Sequence, residues 1–75
     1  MKEVVEVIAK ALVDNPDQVV VSETETEHEI NVELKVAQSD MGKVIGKQGR
    51  IAKAIRTVLK AQAIREDKRV TLDID

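Results

Sequence analysis

Two glycines that enclose a lysine and a glutamine, Gly46-Lys47-Gln48-Gly49, form the part of this sequence best suited to chemistry. Glycine readily adopts the positive φ that ends a helix, so Gly46 suits a tight turn. Gly49 has no side chain to hold a ligand away from the start of a following helix, where free N–H groups and the positive end of the helix dipole would face that ligand. Lys47 and Arg50 add mobile cations, so the pattern favours a grip on phosphates that does not depend on base sequence.

The residues around this loop are basic, although the chain as a whole has a formal net charge of −2. Residues 14–40 contain eight acidic residues and one basic residue, whereas residues 41–65 contain no acidic residue. That second segment holds seven basic residues: Lys43, Lys47, Arg50, Lys53, Arg56, Lys60 and Arg65. Such a distribution lets a weakly acidic protein present one cationic face to a polyanion. Basic residues that merely solvate a helix would give the same pattern, so charge alone leaves both interpretations open.

The elements before the loop follow from the spacing of apolar residues. Helical spacing predicts a first helix over residues 2–13, with Val5, Ile8, Ala9 and Leu12 on one face. Asn15-Pro16 ends it, because proline disfavours helical geometry in the residue before it. A strand is expected to begin at residues 19–21. Residues 30–36 alternate apolar with polar side chains and predict a second strand, and the polar residues 23–28 are expected to connect the two as a hairpin.

The loop itself is predicted to join two helices. Ser39 or Asp40 is expected to cap a short helix that carries Met41, Val44 and Ile45. A longer helix begins near Gly49 or Arg50, and one face of it is formed by Ile51, Ile55, Val58 and Leu59. The helical pattern stops near Glu66-Asp67, and residues 70–74 alternate as a third strand. The order α-β-β-α-α-β predicts a single α+β domain over residues 1–75, with three helices packed on one face of a three-stranded mixed sheet.

Several classes of protein are excluded by what the chain lacks. Without Phe, Tyr or Trp it cannot stack bases on aromatic rings, as RRM and OB-type domains do. Without cysteine it has no disulfide or thiolate site, and no metal or other cofactor is predicted. A P-loop is excluded because three residues rather than four separate Gly42 from Gly46, and Gln48 follows Lys47. The single histidine, His28, lies in the predicted polar turn without a nucleophile, so we do not expect an enzyme.

Hydropathy argues against a membrane protein. No stretch approaches the roughly 20 apolar residues of a membrane-spanning helix. Residues 1–12 contain glutamates and no small-residue cleavage site, so they do not resemble a signal peptide. We therefore expect no membrane partner and a cytoplasmic location.

The loop and its flanks resemble the signature of KH domains, and the order α-β-β-α-α-β is similar to that of type II KH domains. The resemblance extends to Val13-Asp14-Asn15-Pro16, to residues 38–46 and to residues 49–56. Over essentially the whole chain, the sequence resembles the bacterial stand-alone KH proteins of the KhpA family. Ala52 departs from the general KH signature, which often has a larger aliphatic residue there, and the departure implies a shallower groove floor.

This resemblance implies a cleft that holds about four nucleotides of single-stranded RNA. The residues expected to hold the RNA backbone are Gly46, Lys47, Gln48, Gly49 and Arg50, with Lys43 and Lys53 beside them. Val44, Ile45 and Ile51 are assigned to the apolar floor, and ordinary core packing remains the alternative for each of them. Residues 34–36 are assigned to the strand edge that would bond bases. Whether the strand is RNA or single-stranded DNA stays open, because no residue is identifiable as a reader of the 2′-hydroxyl.

The family resemblance also implies partners and a cellular role. It implies an RNA chaperone in post-transcriptional regulation, with a link to cell length and peptidoglycan control, and pairing with a second KH protein of the KhpB type. From the residues themselves, Ile64 lies off the apolar stripe of its helix and is assigned to the seam of a homodimer, with an ordinary exposed aliphatic residue as the alternative. The alternative function is a protein-interaction scaffold with a KH fold that does not bind RNA.

Overall fold

The computed structural model describes residues 1–75 and contains every helix and strand that the sequence predicts. The helices are α1, Lys2–Leu12; α2, Met41–Ile45; and α3, Arg50–Arg65. The strands are β1, Val20–Glu25; β2, Glu29–Lys35; and β3, Arg69–Ile74. Single turns of 3-10 helix precede β1, α2 and α3. The predicted order α-β-β-α-α-β is confirmed.

The three strands form one mixed sheet with β2 in the centre. β1 pairs antiparallel with β2, and β3 pairs parallel with β2. A parallel pair needs a long crossover connection, and residues 36–68 supply it. That crossover contains α2, α3 and the glycine-bounded loop between them, so the loop is carried on the helical layer of the domain.

The core lies between the helices and one face of the sheet. It contains Val5 and Ala9 of α1, Ile55 and Leu59 of α3, and the alternate residues Ile30, Val32 and Leu34 of β2. Polar residues of β2 alternate with these on the other face, which confirms the period of two. None of the three helices is long and apolar enough to cross a bilayer.

The hairpin differs from the sequence expectation. β1 continues to Glu25, so Glu23 and Glu25 lie in the strand and only residues 26–28 form the turn. Thr26 closes that turn, because its N–H donates to the carbonyl oxygen of Glu29 at 2.8 Å and its Oγ1 accepts from the N–H of Glu29 at 3.1 Å. The end of β1 is exposed on both faces, so it carries no apolar alternation that could have revealed it as a strand.

The buried face of α3 is also rotated from the expected one. The buried residues are Ala52, Ile55, Leu59 and Ala63, whereas Val58 is 49% exposed and Ile51 is half-buried. Alanine lets a helix pack closely, so a buried face inferred from the larger aliphatic residues alone misses Ala52 and Ala63. Because Ala52 is buried, its small side chain affects how closely α3 packs and does not form the surface of a groove. Leu12, expected on the buried face of α1, is 38% exposed.

Candidate nucleic-acid interface

Gly46 is required at its position by both backbone conformation and space. Its φ of 78° and ψ of 172° lie in a region that is essentially restricted to glycine. A Cβ on Gly46 would lie 2.6 Å from Cγ1 of Ile51, far inside van der Waals contact. The N–H of Gly46 donates to the carbonyl oxygen of Gly42 at 2.9 Å and so closes α2. The entry to the loop is therefore fixed against the first turn of α3.

The exit of the loop is open. Gln48 and Gly49 both have left-handed conformations, with φ of 59° and 73°. A Cβ on Gly49 would meet no atom within 4 Å, so nothing in the protein itself needs a glycine there for space. The N–H of Gly49 donates to the carbonyl oxygen of Gly46 at 3.1 Å. The turn therefore uses this amide, and any N–H groups that a ligand could reach belong to the first turn of α3.

The cations next to the exit are not neutralised by acidic residues. Lys47, Arg50 and Lys53 are exposed and form no ion pair, and the first turn of α3 contains no acidic residue or side-chain cap. Arg50 donates only to the side chain of Gln48, at 3.4 Å. Cations near the positive end of a helix dipole destabilise it by about 0.3–1 kcal/mol each. An anion bound at the start of α3 would interact favourably with both the cations and the helix dipole, so the arrangement suits phosphate.

Lys43 is held differently from these three residues. Its Nζ lies 2.9 Å from Oδ2 of Asp14 and 3.6 Å from Oδ1 of Asp40. The hydrogen bond to Asp14, and then the charge of that carboxylate, raise the pKa of Lys43 above its usual value. The positive charge that the sequence assigned to RNA binding is thus partly compensated in the free protein.

Asp40 does not cap α2 as the sequence suggested. It forms no side-chain cap bond, because its backbone is already helical, with φ of −100° and ψ of −4°. Its carboxylate is 1% exposed and accepts hydrogen bonds from the N–H of Asp14 at 3.2 Å, the N–H of Asn15 at 3.1 Å and Nδ2 of Asn15 at 3.0 Å. Burial acts to raise the pKa of Asp40, but these hydrogen bonds and the charge of Lys43 outweigh it and lower the pKa below its ordinary value.

The three residues assigned to the apolar floor divide into two groups. Val44 is fully buried in the core, so its side chain has no surface to offer a base, and core packing is the correct interpretation. Ile45 and Ile51 are half-buried and pack against the edge of the core beside Gly46. These two can form a floor at the loop.

The strand edge assigned to residues 34–36 is not an edge. Leu34 lies in the central strand, paired with Val21 on one side and Ile74 on the other, so that assignment is wrong. The free edge beside α3 belongs to β3. The N–H groups of Arg69 and Asp75 donate towards β2. Successive residues of a strand direct their peptide groups to opposite sides, so the residues that alternate with these two in β3 direct theirs away from β2, towards the free edge. Those residues are Val70, Leu72 and Ile74.

A groove runs between α3 and this free edge. Its central cavity, of about 400 Å³, is lined by Arg56, Lys60, Val70, Thr71 and Leu72. Nη2 of Arg56 donates to the carbonyl oxygen of Leu72 at 3.3 Å, which shows that this peptide group faces the groove. Sequence reasoning placed Arg56 and Lys60 in the basic segment but not in the site, because the register of α3 against β3 is not visible in the sequence.

Ile64 lies at the far end of the same groove. It is 65% exposed, as expected, and it lines a second cavity together with Lys60, Val70 and Thr71. It lies fourteen positions after Arg50 on the same helix, a distance of about 21 Å. The loop and Ile64 are therefore separate surfaces at opposite ends of α3.

Several relatives match this chain over nearly the whole of their own length. A family model described as KhpA/KhpB, KH domain, matches residues 2–74. The RNA-binding protein KhpA of Clostridium acetobutylicum is 66% identical over 99% of both chains. The proteins of the same name from Caldanaerobacter subterraneus and Aquifex aeolicus are 64% and 53% identical, each over 99% of this chain and over 99% and 94% of their own.

A solved structure supports the fold. The chain superimposes on Era, crystallised with MgGDPNP and nucleotides 1506–1542 of 16S ribosomal RNA, with a TM-score of 0.68 and 21% identity. The alignment covers 97% of this chain and 28% of that one, so the likeness concerns one part of Era and shows the fold alone. With three helices on one face of a mixed sheet and a family match over nearly all its residues, the chain belongs to the KhpA/KhpB KH-domain family.

Proposed function

We propose that this chain binds single-stranded RNA and that the loop Gly46–Gly49 holds the phosphate backbone. The observation that carries the proposal is the open exit of the loop, where Lys47, Arg50 and Lys53 stand without acidic partners at the positive end of α3. The relatives named RNA-binding protein KhpA support the same class of ligand.

The strand is proposed to continue from the loop along the groove between α3 and β3. Ile45 and Ile51 form the floor near the loop, and the outward N–H groups of Val70, Leu72 and Ile74 are available to base edges. About four nucleotides fit a cleft of the KH type. Since no aromatic ring is present to stack bases, we expect a dissociation constant on the order of micromolar or weaker.

The test is the double substitution Lys47→Asp, Gln48→Asp. Both side chains are exposed, and aspartate tolerates the left-handed conformation of Gln48, so the fold should persist with a melting temperature changed by only a few degrees. Two negative charges at the phosphate position should weaken binding of a short labelled RNA at least tenfold, about 1.4 kcal/mol. For the parent, the logarithm of affinity should fall with the logarithm of salt concentration with a slope of about −2 to −3.

A matched control is Lys2→Asp, which changes a lysine that is exposed like Lys47 but lies on α1, outside the basic segment. Its RNA affinity should equal that of the parent. If the loop variant folds and binds RNA like the parent, the loop is not the site.

Self-association is a second part of the proposal, carried by the exposure of Ile64. A small core gains from burying such a residue in a two-fold interface, with a second copy of this chain or with a KH protein of the KhpB type. Ile64→Asp should halve the mass found by light scattering and leave the circular dichroism spectrum unchanged. A monomeric parent, or a variant of unchanged mass, would contradict the homodimer.

A scaffold without RNA remains the second candidate function, favoured by the same exposed Ile64. It predicts a dimer whose loop variants bind their partner normally, together with no measurable affinity for RNA. The role of an RNA chaperone in post-transcriptional regulation, with its link to cell length and peptidoglycan control, extends the proposal on family resemblance and depends on RNA binding being found.

A further inference from the structure

Asp40 joins two segments that are distant in the sequence. Its carboxylate accepts three hydrogen bonds from Asp14 and Asn15, in the turn that follows α1. Lys43, one turn further along α2, pairs with both Asp40 and Asp14. The four side chains therefore form a cross-link between the end of α1 and the start of α2, and Asp40 is the only charged residue of the chain that is buried.

The cross-link is a costly way to fill space. A buried carboxylate is tolerated only when charged or hydrogen-bonding partners compensate its lost hydration, and no buried polar atom here lacks a partner. An apolar side chain would fill the same volume without that requirement. Hydrogen bonds are directional, so those of the carboxylate fix the angle between α2 and the turn that follows α1, as well as the distance between them.

That angle matters because α2 is short and its packing against α3 gives it only part of its support. The helix has five residues, too few to be stable alone, and only Val44 among them is fully buried. It ends directly in Gly46, which lies so close to the first turn of α3 that a Cβ on it would be 2.6 Å from Cγ1 of Ile51. Any rotation of α2 is therefore passed to the loop.

We propose that Asp40 is a positioning residue for the RNA-binding loop Gly46–Gly49. Asp40 fixes the orientation of α2, and α2 in turn sets the orientation in which the loop presents Lys47. The inference rests on the proposed RNA binding. Asp40 does not touch the ligand. Lys43 belongs to this cross-link and contributes to binding through the position of α2 and not through a phosphate contact.

The test is Asp40→Asn, which keeps the size of the side chain. Its amide group cannot accept all three hydrogen bonds, its NH₂ faces other donors, and the ion pair with Lys43 is lost. Binding of a labelled eight-nucleotide single-stranded RNA would be titrated at 10 °C and at several salt concentrations. Circular dichroism at the same temperature would first check that the variant is folded. Affinity should fall about fivefold to tenfold, and the magnitude of the salt slope should fall by about 1, since one phosphate contact is lost.

Val21→Ala is the matched control for lost stability. Val21 is buried on β1, away from the loop, so this variant should melt earlier while its affinity and salt slope match those of the parent. If Asp40→Asn lowers only the melting temperature and leaves both binding quantities unchanged, Asp40 is merely structural and the inference is overturned. Should Asp40→Asn not fold at 10 °C, Asn15→Ala removes a single hydrogen bond and should change affinity and slope in the same direction by a smaller amount.

A second measurement needs no RNA. The N–H of Gly46 donates to Gly42 of α2, and the N–H of Gly49 donates to Gly46 within the loop, so hydrogen exchange at these two amides reports the order of the loop and of its junction with α2. Asp40→Asn should accelerate exchange at these two amides more than at Val32 in the central strand, and Val21→Ala should not. If the parent binds no RNA, the proposed function fails, and this exchange pattern still decides whether Asp40 orders the loop.

Discussion

The entry and exit sides of the glycine-bounded loop differ in packing and in the compensation of their positive charges. On the entry side, Gly46 is packed against Ile51 and the charge of Lys43 is compensated by two carboxylates. On the exit side, Gly49 faces open space and the cations that follow it have no acidic partner. The basic segment is therefore not one surface: Lys43 is paired within the fold, whereas Lys47, Arg50 and Lys53 are exposed without acidic partners.

Three glycine-to-alanine substitutions test the difference between the entry and the exit of the loop, and Gly46→Ala should have the largest effect. Alanine at that φ and ψ costs on the order of 1–3 kcal/mol, and its methyl group would overlap Ile51, which adds a similar amount. We expect thermal melting followed by circular dichroism to show a fall of more than about 10 °C. An unchanged melting temperature would mean that the entry side is not rigid.

Gly49→Ala should affect binding more than stability. Its left-handed conformation costs an alanine about 1 kcal/mol, with no steric overlap, so the melting temperature should fall by about 4–8 °C. The methyl group would stand where the proposed RNA backbone approaches. RNA affinity at 10 °C should therefore fall at least about fivefold, or about 1 kcal/mol.

Gly42→Ala is the matched control and should have the smallest effect of the three. Gly42 lies in α2, and a Cβ there would meet no atom within 4 Å. Alanine in a helix interior is more stable than glycine by about 0.5–1 kcal/mol, so the melting temperature should rise slightly and RNA binding should stay. Equal losses in all three variants would contradict the contrast between entry and exit.

Acid should weaken the entry side before it affects the exit side. The pKa of Asp40 is lower in the folded protein than its ordinary value, which is about 3.9 in an unfolded chain. Its contribution to stability is therefore present above about pH 4 and is lost as the pH falls through the folded pKa. Thermal melts between pH 2.5 and 7 should show that Asp40→Asn costs stability at neutral pH and that this cost disappears in acid. As a control, Asp17→Asn replaces an exposed carboxylate on the neighbouring turn and should change the melting temperature little at neutral pH.

Local patterns explain what could be predicted from the sequence. The alternation of residues 30–36 and the spacing of Gly46 and Gly49 depend on neighbours within a few residues, so the central strand and the loop were identified correctly. Which strand lies at the edge beside α3 depends on how distant segments pair, and the sequence placed it at residues 34–36 instead of β3. Asp40 was read as a cap for the same reason, because its partners at Asp14 and Asn15 lie 25 or more positions away.

The parallel pairing of β2 with β3 also has a consequence for the order of folding. The β1–β2 hairpin closes through a three-residue turn and can form on a microsecond timescale, whereas β3 can join only after the whole crossover of residues 36–68 has been brought back to the sheet. Closing that longer loop costs more chain entropy and slows folding. Both walls of the RNA groove, α3 and β3, belong to this late stage, so a nascent chain acquires its groove only after β3 has left the ribosome.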